Sequence, residues 1–123
     1  MQAPYEATLL RIFLREDDVF RDKLLCEQLV LKARAMGLAG ASVTRGILGY
    51  GPTIQEPDFG LAIDRPVVLE IVESDDKIQR FLSTIDAMIE SGLVTLQPVT
   101  VVRYGRATSR GLEGVDRGAM SAR

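Results

Sequence analysis

From Glu6 to Leu14 the chain reads EATLLRIFL. Alternation places Leu10, Ile12 and Leu14 on one face of an extended segment, and Leu9 and Phe13 beside Arg11 on the other. Apolar groups on both faces predict a strand, central or nearly so, in a sheet. Glu16-Asp17-Asp18 interrupts the pattern. A helix is then predicted from about Asp22 to Met36, because Leu25, Leu29, Ala33 and Met36 recur at steps of three and four, with Cys26 and Val30 widening the stripe. Asp22 is its expected N-cap, and Gly37 its expected left-handed residue just past the C-terminus. Ala41 to Leu48, ASVTRGIL, predicts a second strand, which Gly49-Tyr50-Gly51-Pro52 stops. No periodicity survives from there to Pro66. A loop over about 49–66 is longer than compact domains usually need, and such loops tend to carry function.

Val67 to Val72, VVLEIV, predicts a third strand. Ser74 then stands as an N-cap, with Asp75 and Asp76 placed to complement the helix dipole. Ile78, Phe81, Leu82, Ile85, Met88 and Ile89 form the cleanest amphipathic stripe in the chain, and Gly92 is its expected stop. A short extended piece at Leu93 to Leu96 leads to a last strand from Val99 to Tyr104. The order βαββαβ, with a right-handed crossover in each half, predicts an α+β, ferredoxin-like domain: an antiparallel four-stranded sheet with two helices on one face. The domain spans residues 1–104, and 105–123, rich in Gly and Arg, is expected to be a tail. Two helices cover only one face of such a sheet. Strands with apolar groups on both faces therefore predict self-association.

Composition narrows the chemistry. Fifteen basic and seventeen acidic residues among 123 give a net charge of −2, which argues against a general nucleic-acid binder. There is no His, and Cys26 is the sole cysteine, so the usual zinc ligand sets and His-based acid–base catalysis are both excluded. Cys26 is expected to be a buried structural thiol. No stretch is apolar enough to span a bilayer, and the first six residues do not resemble a signal peptide, so a cytoplasmic location is the expectation.

The stretch Gly40-Ala41-Ser42-Val43-Thr44-Arg45-Gly46-Ile47-Leu48-Gly49-Tyr50-Gly51 joins a small hydroxyl residue, a strand, and a Gly-aromatic-Gly entry into a long loop. With the opening Leu10-Arg11-Ile12-Phe13 and the later block Val68-Leu69-Glu70-Ile71-Val72-Glu73-Ser74, it resembles the PII signal-transduction superfamily, in particular its short, largely uncharacterised PII-like branch. The resemblance runs over about residues 8–104. It implies a homotrimer with an adenine nucleotide in the clefts between subunits. It also implies a cytosolic enzyme or a membrane transporter as partner of the loop, through Ile54, Gln55, Glu56, Asp58 and Phe59. For the ligand it implies Ser42 near the purine, backbone donors at Gly49, Tyr50 and Gly51, and Arg103 with Arg106 at the phosphates. Glycines admit close backbone approach to an anion and Arg pairs phosphate in bidentate fashion, so the implied site is physically coherent. One departure bears on affinity. Where PII proteins carry Gly-Asp-Gly-Lys, this chain has Ser91-Gly92-Leu93-Val94, which predicts weak binding or a ligand smaller than a nucleoside triphosphate.

Each feature also has a plainer reading. Gly49 and Gly51 serve equally as a turn out of a strand. Arg103 on a terminal strand is more often a solvated edge charge. Glu70, among aliphatics, points to solvent or pairs with Arg11 across strands, and the cross-strand pair is the favoured reading. Asp75-Asp76 is helix capping, and Glu16-Asp17-Asp18 a solvated turn in preference to a cation site. No convergent catalytic set is visible, which leaves a regulator, a ligand-free interaction module and a small enzyme on the same fold, in that order.

Overall fold

The computed structural model describes residues 4–46 and 65–103. Contacts divide the chain into two units, Ala7–Val99, and Met1–Glu6 with Thr100–Arg123. In the second unit, Thr100 Oγ1 donates to Glu6 Oε2 at 3.3 Å. The boundary expected between residues 104 and 105 lies outside the described residues.

Numbered in chain order, the elements are β1 (Tyr5–Arg15), β2 (Val19–Phe20), β3 (Lys23–Leu24), α1 (Leu25–Ala35), β4 (Ser42–Arg45), β5 (Pro66–Glu73), α2 (Asp75–Ile85) and β6 (Leu93–Val101). The main sheet runs β4-β5-β1-β6, with β5 antiparallel to both of its neighbours. This is the ferredoxin-like arrangement, mixed α+β with a four-stranded antiparallel sheet. The two helices share one face. Leu10, Ile12 and Leu14 of β1 and Val67, Leu69 and Ile71 of β5 form one buried cluster with Leu25, Leu29 and Ala33 of α1 and Ile78, Phe81 and Ile85 of α2. That face follows from period-2 alternation in the strands meeting a 3.6-residue stripe in the helices.

Three local expectations are corrected. Helix α1 begins at Leu25, because Val19–Phe20 folds back on Lys23–Leu24 as a hairpin. Arg21 and Asp22 form its turn, with φ of 53° and 67°, so Asp22 is a turn residue and not the N-cap. Leu24 is the N-cap and offers no side-chain bond. The Leu25 N–H donates instead to Asp18 O at 2.8 Å, and Gln28 Nε2 ties the first turn to the hairpin by donating to Phe20 O at 2.7 Å and to Lys23 O at 3.1 Å. Second, α2 ends at Ile85 and tightens into a 3₁₀ turn over Asp86–Met88, a common way to close a helix C-terminus. Gly92 then marks the entry to β6 instead of the helix end. Its φ is +146°, and a Cβ there would lie 3.1 Å from Phe13 O. Third, Leu93 to Val101 is one strand, running straight through Pro98. A proline lacks the ladder donor, and β6 tolerates it as the outermost strand of the described sheet. Val102 and Arg103 follow it, outside the strand.

Other signals are met. Gly37 adopts φ +77°, with Leu38 N–H donating to Ala33 O and Gly37 N–H to Arg34 O at 3.1 Å each, a Schellman closure of α1. Ser74 Oγ accepts from the Lys77 N–H at 3.4 Å as the N-cap of α2. Asp75, in the first turn, also accepts from Thr8 Oγ1 of β1 at 3.0 Å, which ties the helix start to the sheet.

Candidate functional site: the open sheet face and the loop base

Away from the helices, β1 and β5 present a second set of side chains. The register pairs Leu9 with Val72, Arg11 with Glu70, and Phe13 with Val68. On β4, Ser42 stands opposite Glu70 and Thr44 opposite Val68. Arg11 Nε donates to Glu70 Oε2 at 2.7 Å, and Arg11 Nη1 to Gln97 Oε1 of β6 at 3.4 Å. A polar row, Ser42–Glu70–Arg11–Gln97, thus crosses all four strands, and on β1 and β5 it lies between the apolar pairs Leu9–Val72 and Phe13–Val68. The favoured sequence reading of Glu70 as a cross-strand partner of Arg11 holds. The two side chains keep 39% and 36% exposure, which puts the pair in the class worth about 0–1 kcal/mol.

At the base of the long loop the backbone is pinned from both sides. Gly46 N–H donates to Pro66 O at 2.8 Å, and Glu16 N–H to Arg65 O at 2.7 Å. Pro66 therefore opens β5 instead of closing the loop. Arg45, the last residue of β4, pairs with the Glu16 carboxylate. The acidic run after β1 is occupied with its neighbours: Asp18 Oδ2 accepts from the Arg15 N–H at 2.9 Å, and Asp17 lies 3.6 Å from Arg15 Nε. Its carboxylates act as local structural partners, as a turn requires.

An open groove of about 410 Å³ runs between α2 and the start of β6, lined by Leu82, Ile85, Asp86, Ile89, Glu90 and Val94 among others. Ser91, Gly92 and Val94, the stretch set against Gly-Asp-Gly-Lys in the sequence, also line it. Its charged lining residues are two carboxylates, so it offers phosphate no electrostatic attraction. Cys26 is half-buried against the core, less enclosed than expected. Burial, then the neighbouring Glu27 carboxylate, raises its thiol pKa and suppresses the thiolate at neutral pH.

Of the residues implied for ligand binding, Ser42 is exposed at the start of β4 and Arg103 is exposed just beyond β6. Gly49, Tyr50, Gly51 and Arg106 lie outside the described residues, as do Ile54, Gln55, Glu56, Asp58 and Phe59 of the loop. Sequence reasoning did not single out Gln97 or the Arg45–Glu16 pair. Gln97 is placed beside Arg11 by its hydrogen bond across β1 and β6 and had no distinguishing signal in the sequence. No helix among the described residues is long and apolar enough to cross a membrane.

The fold is that of the PII-like proteins. It superposes with a TM-score of 0.62 on CPII, a nitrogen regulatory PII-like protein from Thiomonas intermedia K12 in a structure bound to ADP, AMP and bicarbonate, over 82% of this chain and 98% of that one, at 16% identity. The chain belongs to the DUF190 family, described as Uncharacterized ACR, COG1993, whose model matches residues 7–101. Relatives include a UPF0166 protein from Aquifex aeolicus, 42% identical over 97 residues that make up 76% of this chain and 91% of that protein. A UPF0166 protein from Methanocaldococcus jannaschii is 34% identical over 94 residues, 74% of this chain and 87% of that protein.

Proposed function

We propose that this chain is a PII-like regulatory protein and not an enzyme. In this reading it assembles as a homotrimer in the cytoplasm, binds an adenine nucleotide in the clefts between subunits, and signals through the 49–66 loop to a cytosolic enzyme or a membrane transporter. The observation that carries the proposal is the PII-like fold itself, in a family whose structural neighbour CPII is seen with ADP and AMP. The open sheet face supports assembly, because Leu9, Phe13, Val68 and Val72 gather apolar surface that the two helices leave uncovered. Ser42, the backbone of Gly49–Gly51, Arg103 and Arg106 form the proposed ligand set. The acidic groove beside Ser91-Gly92 supports micromolar or weaker affinity, with Arg103 supplying most of the attraction for phosphate. The loop acts as a signal if the ligand binds its alternative conformations with different affinity.

Calorimetric titration with ADP, AMP and ATP, with and without bicarbonate, tests this reading. Binding of at least one nucleotide is expected. Arg103→Ala should weaken it by roughly tenfold to a hundredfold, the equivalent of one charge-assisted hydrogen bond. Raised ionic strength should narrow the gap between wild type and variant. No heat with any nucleotide would leave the chain a ligand-free interaction module.

A further inference from the structure

The polar row across the open face has no role inside a single chain. Its central ion pair is exposed and contributes little there. It also interrupts an apolar surface that would be continuous across β1 and β5 if Arg11 and Glu70 were apolar, as Leu9, Phe13, Val68 and Val72 on either side of them are. Among the described residues, the bonds found engage Glu70 Oε2 and Arg11 Nε and Nη1, leaving Glu70 Oε1 and Arg11 Nη2 open to an outside partner. That partner must offer both a donor and an acceptor beside matching apolar stretches. The row carries one positive and one negative group, so it has no net charge with which to attract a polyanion or an anionic membrane. Neighbouring copies of the same row, related by a symmetry axis, supply what is needed: Glu70 of one for Arg11, Arg11 of another for Glu70, and apolar flank against apolar flank.

We infer that Ser42, Glu70, Arg11 and Gln97 set the register in which copies of this chain associate through their sheet faces. The inference rests on the self-association proposed above and adds the residues that make it specific. Apolar flanks by themselves slide past one another at small cost. A row with a charge pair tolerates only the arrangement that keeps each covered polar group partnered, because an unpaired charge in a dry contact is expensive. The row therefore selects one assembly out of many that the flanks alone would permit.

Native mass spectrometry and sedimentation velocity of wild type, Arg11→Glu, Glu70→Arg and their equimolar mixture test this. Wild type should form one discrete oligomer. Each single variant faces its copies with two like charges, and its association midpoint should rise by about 100-fold or more. The mixture should partly recover association in species containing both chains: in a mixed trimer two of the three contacts set a doubly negative row against a doubly positive one, and the third stays like against like. Wild-type assembly with unchanged assembly of both variants overturns the inference and leaves self-association standing. Weakened variants whose mixture does not recover also overturn it, because the row then acts only within its own chain. A wild-type monomer removes self-association and the inference together. If circular dichroism shows that Arg11→Glu does not fold, Gln97→Arg and Gln97→Glu, at an exposed position of β6, carry the same test singly and mixed.

Discussion

The two faces of β1 and β5 are built from interleaved residues of the same strands, and both are rich in apolar side chains. On one face Leu10, Ile12, Leu69 and Ile71 are at most 1% exposed beneath two helices. On the other, Leu9, Phe13 and Val68 are half-buried and Val72 is 42% exposed, with a charge pair at the centre. The first face is a completed core: no polar side chain interrupts it between Leu10 and Leu14 or between Val67 and Ile71. The second has the composition of an interface, apolar on its flanks and polar where alignment must be fixed. Fold stability is therefore vested in the first face, and the proposed assembly in the second.

The sharpest way to break that division is to remove a side chain from the covered face. Phe81, with no exposure, anchors α2 in the core. Phe81→Ala should cost about 3–5 kcal/mol in urea denaturation at any protein concentration. A loss below 1 kcal/mol would mean that the helix-covered face is not the principal core. A smaller effect on the same face concerns how α2 is held. Ser74→Ala removes its N-cap and should cost about 1 kcal/mol, read from the same titration. The open face should respond differently. Val72→Asp should change the stability of dilute protein by no more than about 0.5 kcal/mol, while abolishing any rise of melting temperature with concentration. A large loss of stability in dilute Val72→Asp would erase the distinction between the faces. Least affected should be Cys26, at the margin of the core. Its raised pKa predicts slower alkylation by iodoacetamide at pH 7 than a free cysteine shows, recovering as the pH rises through that pKa.

The covered face was legible from the sequence because its signals are local and periodic: alternate residues in β1 and β5, and the Ile78–Phe81–Ile85 stripe of α2. Gly37 and Ser74 were legible because helix ends need a left-handed residue and a side-chain acceptor at defined positions. The Arg11–Glu70 pair was legible because both lie at the polar centre of apolar strands, where an unpartnered charge is costly. The β2–β3 hairpin was not, since Arg21-Asp22 lacks the glycine that usually announces a two-residue turn, and Asp22 reads equally well as a helix N-cap. Pro98 divided β6 in the sequence because proline ends central strands, whereas an outermost strand admits it. Of the candidate ligand site, Ser42 and Arg103 are located as single exposed residues, and its remaining members rest on the family resemblance. A site of the proposed kind, assembled from loop backbone and from more than one subunit, would leave no periodic trace in one chain.

The central claim is that the open face is covered by further copies of this chain. Sedimentation equilibrium of the wild-type protein across the micromolar range tests it most directly. The account predicts a single species of three times the 13.5 kDa chain mass, with dissociation only on dilution. A species of one chain mass throughout that range would contradict it.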